Sequence, residues 1–276
     1  MKRRTQRVLR SWLDLARLAE ELAGEEWVFR GESANGNPLR PGAGRLTREL
    51  GGGRLTRFTD DDERAALERF KTDALPYLDF KPAPDRDLEW LAIAQHHGMQ
   101  TRLLDWTESL LIAAFFAVEN TATEAPGIIH GVRGLPLADA TADPFSLQDV
   151  TVYRPSHITP RVAPQWSVFT VHPDPTADFR DSGQVTTWTL PGRPNRWRIK
   201  CVLDSCGINS ASIYPDLSGL ARHIYWRYKW GMTQTRPHGK QEAAAGRREQ
   251  SGSERQRARS SRTSRPKRRP PASWLE

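Results

Sequence analysis

The stretch QHHGMQTRLLDWTESLLIAAFFA, Gln95–Ala117, joins a run of polar side chains to one of the most apolar segments of the sequence. Two adjacent histidines, His96 and His97, precede Arg102 and Asp105, and a tryptophan follows before the apolar run begins. Burial of a polar group costs free energy unless the group has a partner. The stretch therefore predicts either an internal clamp that fixes a loop or a functional site.

Helical patterns flank this stretch. Towards the N-terminus, acidic residues crowd the first turn of a helix predicted within Thr59–Leu78, as the helix dipole favours. A further helix is expected from Asp87 to a stop at Gly98. After a loop over Met99–Trp106, Thr107 is predicted to cap a buried helix that is apolar nearly all round.

The second half of the chain is richer in strand patterns, separated by Pro and Gly. The predicted strands are Gly127–Val132, Val150–Arg154, Trp166–Val171 and Val185–Leu190. These patterns predict an α+β fold in which a helical first half packs on a mostly antiparallel, strand-rich second half. The expected organisation is an N-terminal helix in residues 1–26, a main domain in residues 27–230 and a tail in residues 236–276.

The net charge of +8 is concentrated in that tail. Residues 236–276 contain 12 Lys and Arg against 4 Glu, whereas residues 1–235 contain 29 basic and 29 acidic residues. The tail has too few large apolar residues to offset chain entropy, so it is predicted to be disordered. Either it is a solubilising extension, or it binds nucleic acid through counterion release.

Other features of the sequence limit its location. No run of 18 apolar residues predicts a membrane span. The basic N-terminus is interrupted by acidic residues and lacks the apolar region of a signal peptide. Cys201 and Cys206 are too few for a disulfide framework. A cytoplasmic protein with no membrane partner is expected.

The polar residues of the opening stretch each allow two interpretations. His96 is either a hydrogen-bonded structural histidine or a general acid or base, and the adjacent histidines lack the i, i+4 spacing of a helical metal site, so no metal is predicted. Arg102 and Asp105 form either a bidentate clamp or an anion-binding arginine oriented by a carboxylate. Trp106 is either a core residue or a stacking surface.

Two further arginines stand at the ends of apolar segments. Arg30 ends the predicted strand EWVFR, beside Gly31, which allows close approach of a backbone or a ligand. Arg161 and Gln165 precede the strand that begins at Trp166. Arginine at a strand end is suited to an anion, although a salt bridge at the strand edge explains it equally well.

Taken in order, these segments resemble the FRG domain family, named for its Phe-Arg-Gly motif. That motif is Phe29–Gly31 here, LRPGAGR is similar to the family's Leu-x-Pro…Arg segment, and Gln95–Ala117 resembles its central signature. RVAPQWSVFTVH and GINSASIYPDLSGLA resemble its later segments. The resemblance covers roughly Trp27 to Trp230. His97 stands where the family usually has Tyr, and Gln100 where it usually has Pro.

The resemblance implies a domain and not a particular reaction. The sequence predicts that several polar residues converge on a pocket for an anionic small molecule or nucleotide. The candidate catalytic residues are His96 and Asp105, and the candidate ligand-binding residues are Arg30, Gln95, Arg102, Thr107, Arg161 and Gln165.

Two classes of function remain open. The first is a nucleotide-processing enzyme with NAD as a candidate cofactor, because an arginine after a strand, a Thr-bearing segment and AAFFA are similar to an ADP-ribosyltransferase site. The Glu that this chemistry needs is not evident; Glu32 and Glu108 are the nearest candidates. The second is a non-enzymatic module that binds nucleic acid or a protein partner, with the tail adding affinity.

Overall fold

The structure, a computed structural model, describes residues 7–33, 38–45, 47–50, 54–79, 81–120, 124–156 and 162–232. The predicted disordered tail and Arg161 lie outside these residues. The chain divides into two compact units, Met1–Tyr225 and Trp226–Glu276. The second unit is described only over Trp226–Met232, which contain the end of a helix. The fold below is that of the first unit.

Helices and strands are interspersed along this unit. The strands are β1 (Arg7–Val8), β2 (Trp27–Glu32), β3 (Thr47–Leu50), β4 (Arg54–Arg57), β5 (Leu103–Thr107), β6 (Gly127–Arg133), β7 (Thr151–Tyr153), β8 (Ser167–Val171) and β9 (Thr186–Leu190). The helices are α1 (Trp12–Glu21), α2 (Asp60–Ala74), α3 (Asp87–His96), α4 (Leu110–Val118), α5 (Val162–Gln165), α6 (Asn195–Ser205), α7 (Ser210–Ile213) and α8 (Leu217–Lys229). No helix of the described ranges is long and apolar enough to cross a bilayer.

One seven-stranded sheet organises the unit, with strand order β1-β9-β6-β2-β5-β8-β7. Every pairing except β1 with β9 is antiparallel, so the fold is α+β. The two halves of the chain are interleaved in this sheet and are not stacked as a helical half on a strand half. The predicted packing therefore needs correction, because long-range pairing places β2 and β5 between strands of the second half.

Helices cover one face of the sheet in two apolar clusters. Over β2, β6 and β9, side chains of α1, α4 and α6 pack around Phe29 and Trp188. Over β5, β7 and β8, side chains of α2 and α3 pack around Leu103, Phe169 and Val171. The opposite face, which carries Val28, is covered by other segments of the same unit. The helix-covered face therefore has a seam between its two clusters, along β5.

Gly31 allows α4 to approach the sheet closely. A Cβ atom at this position would lie 1.8 Å from the backbone oxygen of Ala113 and 2.8 Å from the backbone nitrogen of Ala117. A side chain here would force the helix away from β2. The glycine of the Phe-Arg-Gly motif thus serves helix packing, one of the two uses expected from the sequence.

The segment before α4 differs from the prediction. Leu103–Thr107 forms β5 and not a loop, with every side chain buried except that of Asp105. The helix begins at Leu110, and its N-cap is Ser109, whose hydroxyl accepts a hydrogen bond from the Ile112 amide. Thr107 instead ends the strand and pairs with Phe29 of β2. Pairing with β8 across the sheet, which the local pattern does not reveal, overrides the loop prediction.

A fully buried arginine fixes the end of α4. Arg196 of α6 donates to the backbone carbonyls of Asn120 (2.7 Å), Ala125 (2.6 Å) and Ser33 (3.0 Å). One turn later, Lys200 donates to the carbonyl of Glu119 at 2.7 Å. Cations at a helix C-terminus satisfy its unpaired carbonyls and complement its dipole. The pair therefore ties α6 to the end of α4.

His172 is a neutral residue of the core. Its Nε2 lies 2.8 Å from the hydroxyl of Thr170, which also accepts a hydrogen bond from the Trp106 indole. Burial, together with the charge of Arg102, lowers the pKa of His172 to about 4. Trp106 is thus a core residue, one of the two interpretations that the sequence left open.

This histidine predicts a loss of stability in acid. An unfolded histidine takes up a proton near pH 6.5, roughly its unperturbed pKa, whereas His172 in the folded protein does so only near pH 4. Between these values the unfolded state binds more protons, so stability falls as the pH falls through that window. We expect His172 to account for a loss of about 2 kcal/mol between pH 7 and pH 5. Urea unfolding of the wild type and of His172→Gln at both pH values measures it; equal losses in the two proteins would contradict this.

Candidate anion-binding site

The exposed carboxylate of Asp105 lies in the seam on the helix-covered face. The side-chain amide of Gln95, near the end of α3, donates to Asp105 Oδ1 at 2.9 Å. The hydroxyl of Thr101 in turn donates to Gln95 Oε1 at 2.5 Å. These contacts orient a carboxylate whose side chain is 63% exposed. Polar side chains of the opening stretch are therefore partnered with one another where the two apolar clusters meet.

Arg30 bridges from β2 to the same carboxylate. Its Nη1 donates to the Asp105 carbonyl at 2.8 Å and lies 3.7 Å from Asp105 Oδ2. Its Nε lies 3.3 Å from Glu32 Oε1. Within the described ranges, β2 and β5 pair only through Phe29 and Thr107. The Arg30 guanidinium contacts β5 beyond this pair, where the two backbones no longer pair with each other.

One edge of the Arg30 guanidinium has no protein acceptor among the described residues. The Arg30 side chain is 22% exposed, and its Nη2 has no hydrogen-bond partner among the residues that the structure describes. Nη1 and Nε are held by protein acceptors, and these contacts fix the plane of the guanidinium. A guanidinium presents donors in a rigid fork that matches phosphate and carboxylate oxygens.

A series of polar contacts connects Arg30 and Glu32 of β2 to the neighbouring strands β6 and β9. His130 of β6 is buried. Its Nε2 lies 3.7 Å from Glu32 Oε2, and its Nδ1 lies 3.2 Å from the Thr187 hydroxyl. Burial acts to raise the pKa of Glu32, but the contact with His130 and the charge of Arg30 outweigh it, so this pKa lies below its usual value. Glu32 is thus an ionised carboxylate that fixes the Nε side of the Arg30 guanidinium.

A second ion pair lies near Glu32. Arg180 contacts the Asp178 carboxylate through Nε at 3.0 Å and Nη2 at 2.5 Å. Its hydrogen bond with Asp178 raises the pKa of Arg180, and the charge of Glu32 adds to the rise. The backbone amide of Leu39 also donates to Asp178, at 3.2 Å. The segment after β2 is therefore fixed beside the charged cluster.

Arg102 has different partners from those predicted. It does not form a clamp with Asp105; its Nε contacts Glu63 Oε2 at 3.2 Å, its backbone amide donates to Glu63 Oε1 at 2.6 Å, and its Nη2 donates to Asp60 at 2.7 Å. The guanidinium also lies 4.1 Å from the ring centroid of Phe145. Burial raises the pKa of Glu63, and Arg102 opposes that rise. Because its side chain is fully buried, Arg102 acts as an internal clamp to α2.

Thr107 and Gln165 are joined to each other. The Thr107 hydroxyl donates to the Gln165 carbonyl at 2.7 Å, and the Gln165 side-chain amide donates to the Ile213 carbonyl at 3.1 Å. These contacts connect β5, α5 and α7. His96 ends α3 beside Gln95 and meets the His97 ring edge-on, with centroids 5.1 Å apart.

The structure therefore divides the sequence-predicted site residues. Arg30, Gln95 and Asp105 lie together, Arg102 is committed to another cluster, and Arg161 is outside the described ranges. Sequence reasoning missed His130, whose only local signal is a histidine within the apolar run GIIHGV. No group of three His, Cys, Asp or Glu side chains in the described part is arranged to hold a metal ion.

Comparison with models of protein families finds a match over part of the chain. The model of the FRG domain family matches residues 25–125, which include β2, α3, β5 and α4 and so carry Arg30, Gln95 and Asp105. No curated protein and no solved structure matches the chain. The sheet that contains the matched strands extends beyond the match, to Leu190 of β9. Residues 25–125 therefore carry an FRG domain.

Proposed function

We propose that the FRG domain binds an anionic small molecule of the nucleotide class, with a phosphate on Arg30 Nη2 and a ribose hydroxyl on the Asp105 carboxylate. The observation that carries the proposal is the fixed guanidinium with one unpartnered edge beside an exposed carboxylate. A phosphate needs donors, whereas a ribose hydroxyl is well matched by a carboxylate acceptor. A nucleotide contains both a phosphate and a ribose hydroxyl.

The geometry of the donors, and not the local charge, supports a bound anion, because the carboxylates of Glu32 and Asp105 already compensate the charge of Arg30. Asp105 is shared between Arg30 and Gln95, and its side chain stays largely exposed. Glu32 balances the charge of Arg30 from behind and leaves its outer edge to solvent. Exposed ion pairs contribute little to stability. Preorganised donors, in contrast, lower the entropic cost of binding a ligand.

NAD is a specific candidate within this class. Arg30 and Thr107 lie at neighbouring positions of paired strands, followed by the AAFFA helix, which is the order noted for ADP-ribosyltransferase sites. Glu32, two residues after Arg30, is ionised and near the guanidinium. In such an enzyme, Asp105 and His96 remain the candidate catalytic groups, because one is an exposed carboxylate and the other ends α3 beside Gln95.

Isothermal titration calorimetry of the full chain with NAD, AMP and inorganic pyrophosphate tests the proposal. A hydrogen bond to a charged group contributes about 1.5–3 kcal/mol, or roughly 10- to 100-fold in Kd. We expect Arg30→Gln to weaken binding of all three ligands by that factor. Asp105→Asn is expected to weaken NAD and AMP, and to bind pyrophosphate at least as tightly as the wild type does, because it removes a negative charge beside Arg30. Arg69→Gln, on the exposed face of α2, is the matched control.

Two results would refute this function. One is that none of the three ligands binds the wild type; the other is that Arg30→Gln binds them as tightly as the wild type does. A short oligonucleotide that binds in a salt-sensitive way, unaffected by Arg30→Gln, would instead favour the nucleic-acid class and the basic residues 236–276.

A further inference from the structure

Trp166 is held in a conformation that its own side chain disfavours. Its φ is +48°, and it is the only non-glycine residue with a positive φ in the described ranges. Placing an L-residue in the left-handed region costs roughly 1–2 kcal/mol of conformational free energy, and bulky residues are rare there. The indole is also 61% exposed, so core packing does not offset that cost. Neither backbone preference nor burial explains a tryptophan at this position.

Neighbouring contacts hold this conformation at the position that directly follows α5, where left-handed backbone is common and glycine is the usual residue. The carbonyl of Trp166 accepts a hydrogen bond from the Glu108 amide at 3.0 Å. On its N-terminal side, Gln165 is held by Thr107 and by Ile213. On its C-terminal side, β8 begins at once and pairs with β5. Strain that the surroundings impose in this way concentrates at ligand-binding positions, and it fixes the backbone that carries the indole.

A solvent-facing ion pair lies next to this backbone. Arg154 Nε donates to Glu108 Oε1 at 2.7 Å, and both side chains are partly exposed. The backbone amide of this same Glu108 is the one that holds the Trp166 carbonyl. An aromatic face supplies stacking, and a guanidinium with a carboxylate supplies donors and acceptors for a polar ring edge. A nucleobase or a similar planar heteroaromatic ring has a face that can stack and a polar edge that can form these hydrogen bonds.

The position of Trp166 fits the Arg30 site. Asp105 lies in β5, and Glu108 directly follows the end of this strand, so the two residues are separated by at most about 10 Å at the rise of a strand. Arg30 contacts the first of these residues, and the Trp166 backbone contacts the second. This separation is on the order of the length of a mononucleotide from phosphate to base. A single ligand is thus long enough to reach both places.

We propose that Trp166 is the stacking platform for the base, or an equivalent planar ring, of the ligand whose phosphate binds Arg30. This inference rests on the proposed nucleotide function and assigns the part of the site that recognises the ring. Arg154 and Glu108 contact the edge of that ring, and Trp166 contacts its face. Affinity for the ring and affinity for the phosphate therefore depend on different residues.

The test compares AMP with ribose 5-phosphate, which lacks the base, by titration calorimetry of the full chain. Loss of base stacking on an aromatic side chain weakens binding by roughly 5- to 100-fold. We expect Trp166→Ala to weaken AMP by that factor and to leave ribose 5-phosphate within about twofold, whereas Trp166→Phe retains most of the AMP affinity. Tyr77→Ala, which removes another exposed aromatic side chain, should change neither ligand.

A second variant separates binding from folding. Trp166→Gly removes the backbone strain, so it is expected to unfold at the same temperature as the wild type or higher and still to lose the AMP preference. Equal weakening of both ligands by Trp166→Ala, or no weakening of AMP, overturns the platform. AMP binding no tighter than ribose 5-phosphate in the wild type overturns the platform alone and leaves the Arg30 site intact. Failure of both ligands to bind overturns both proposals.

Discussion

Arg102→Leu is expected to destabilise the protein by about 3–5 kcal/mol, the usual cost of removing one partner of a buried ion pair. The substitution leaves the Glu63 carboxylate buried without its cation and removes the hydrogen bond to the Pro144 carbonyl at 3.2 Å. It also weakens the attachment of the start of α2, because the side-chain contacts with Asp60 and Glu63 are lost and only the backbone amide at position 102 still donates to Glu63. Urea unfolding of the full chain at pH 7 measures the change in free energy of unfolding.

Three comparisons identify the buried charge as the cause. Arg69→Leu, at a position whose side chain is 80% exposed, should change stability by less than about 0.5 kcal/mol. Arg102→Leu combined with Glu63→Leu should recover part of the loss, because an apolar pair leaves no buried charge. At pH 5 the loss in Arg102→Leu should shrink, since Glu63 without Arg102 has a still higher pKa and is more readily neutral. A loss below about 1 kcal/mol would mean that Arg102 behaves as a surface arginine.

Local patterns predicted the elements whose signals are local. The acidic first turn of α2 lies where the sequence predicts it, and Thr59 is the N-cap of this helix. The four strands predicted in the second half are present as β6, β7, β8 and β9 within a residue or two at each end. Periodicity and capping chemistry fix such features over a few residues.

Partners that lie far apart in the chain could not be predicted in this way. Arg102 has an acidic residue three positions away, yet it pairs with Glu63, 39 residues earlier, because α2 packs on β5. The contact of His130 with Glu32 likewise depends on the register of β6 with β2. For the candidate site, the sequence named Arg30, Gln95 and Asp105 without the contacts that join them. Strand order decides these contacts, and no local pattern encodes it.

Replacing Arg196 by Met is expected to cost about 3 kcal/mol of stability, the second-largest effect after Arg102. Burial lowers the pKa of Arg196, so the folded protein already bears the cost of desolvating this cation. The hydrogen bonds to three carbonyls offset that cost, and Met would leave the carbonyls of Asn120, Ala125 and Ser33 buried without this donor. Each unsatisfied buried acceptor costs about 1–3 kcal/mol, reduced where the structure relaxes.

Helix α6 provides the matched control for this effect. Arg198→Met, two residues further on and exposed, should change the free energy of unfolding by less than about 0.5 kcal/mol in the same urea titration. Since Arg196 holds both the end of α4 and the start of β6, Arg196→Met should also speed amide hydrogen exchange at Val118 and Ile128 more than at Leu67 of α2. Equal stability of the Arg196→Met and Arg198→Met variants would show that water replaces the guanidinium at these carbonyls, and that α4 is held at its C-terminus by Lys200 and by apolar packing alone.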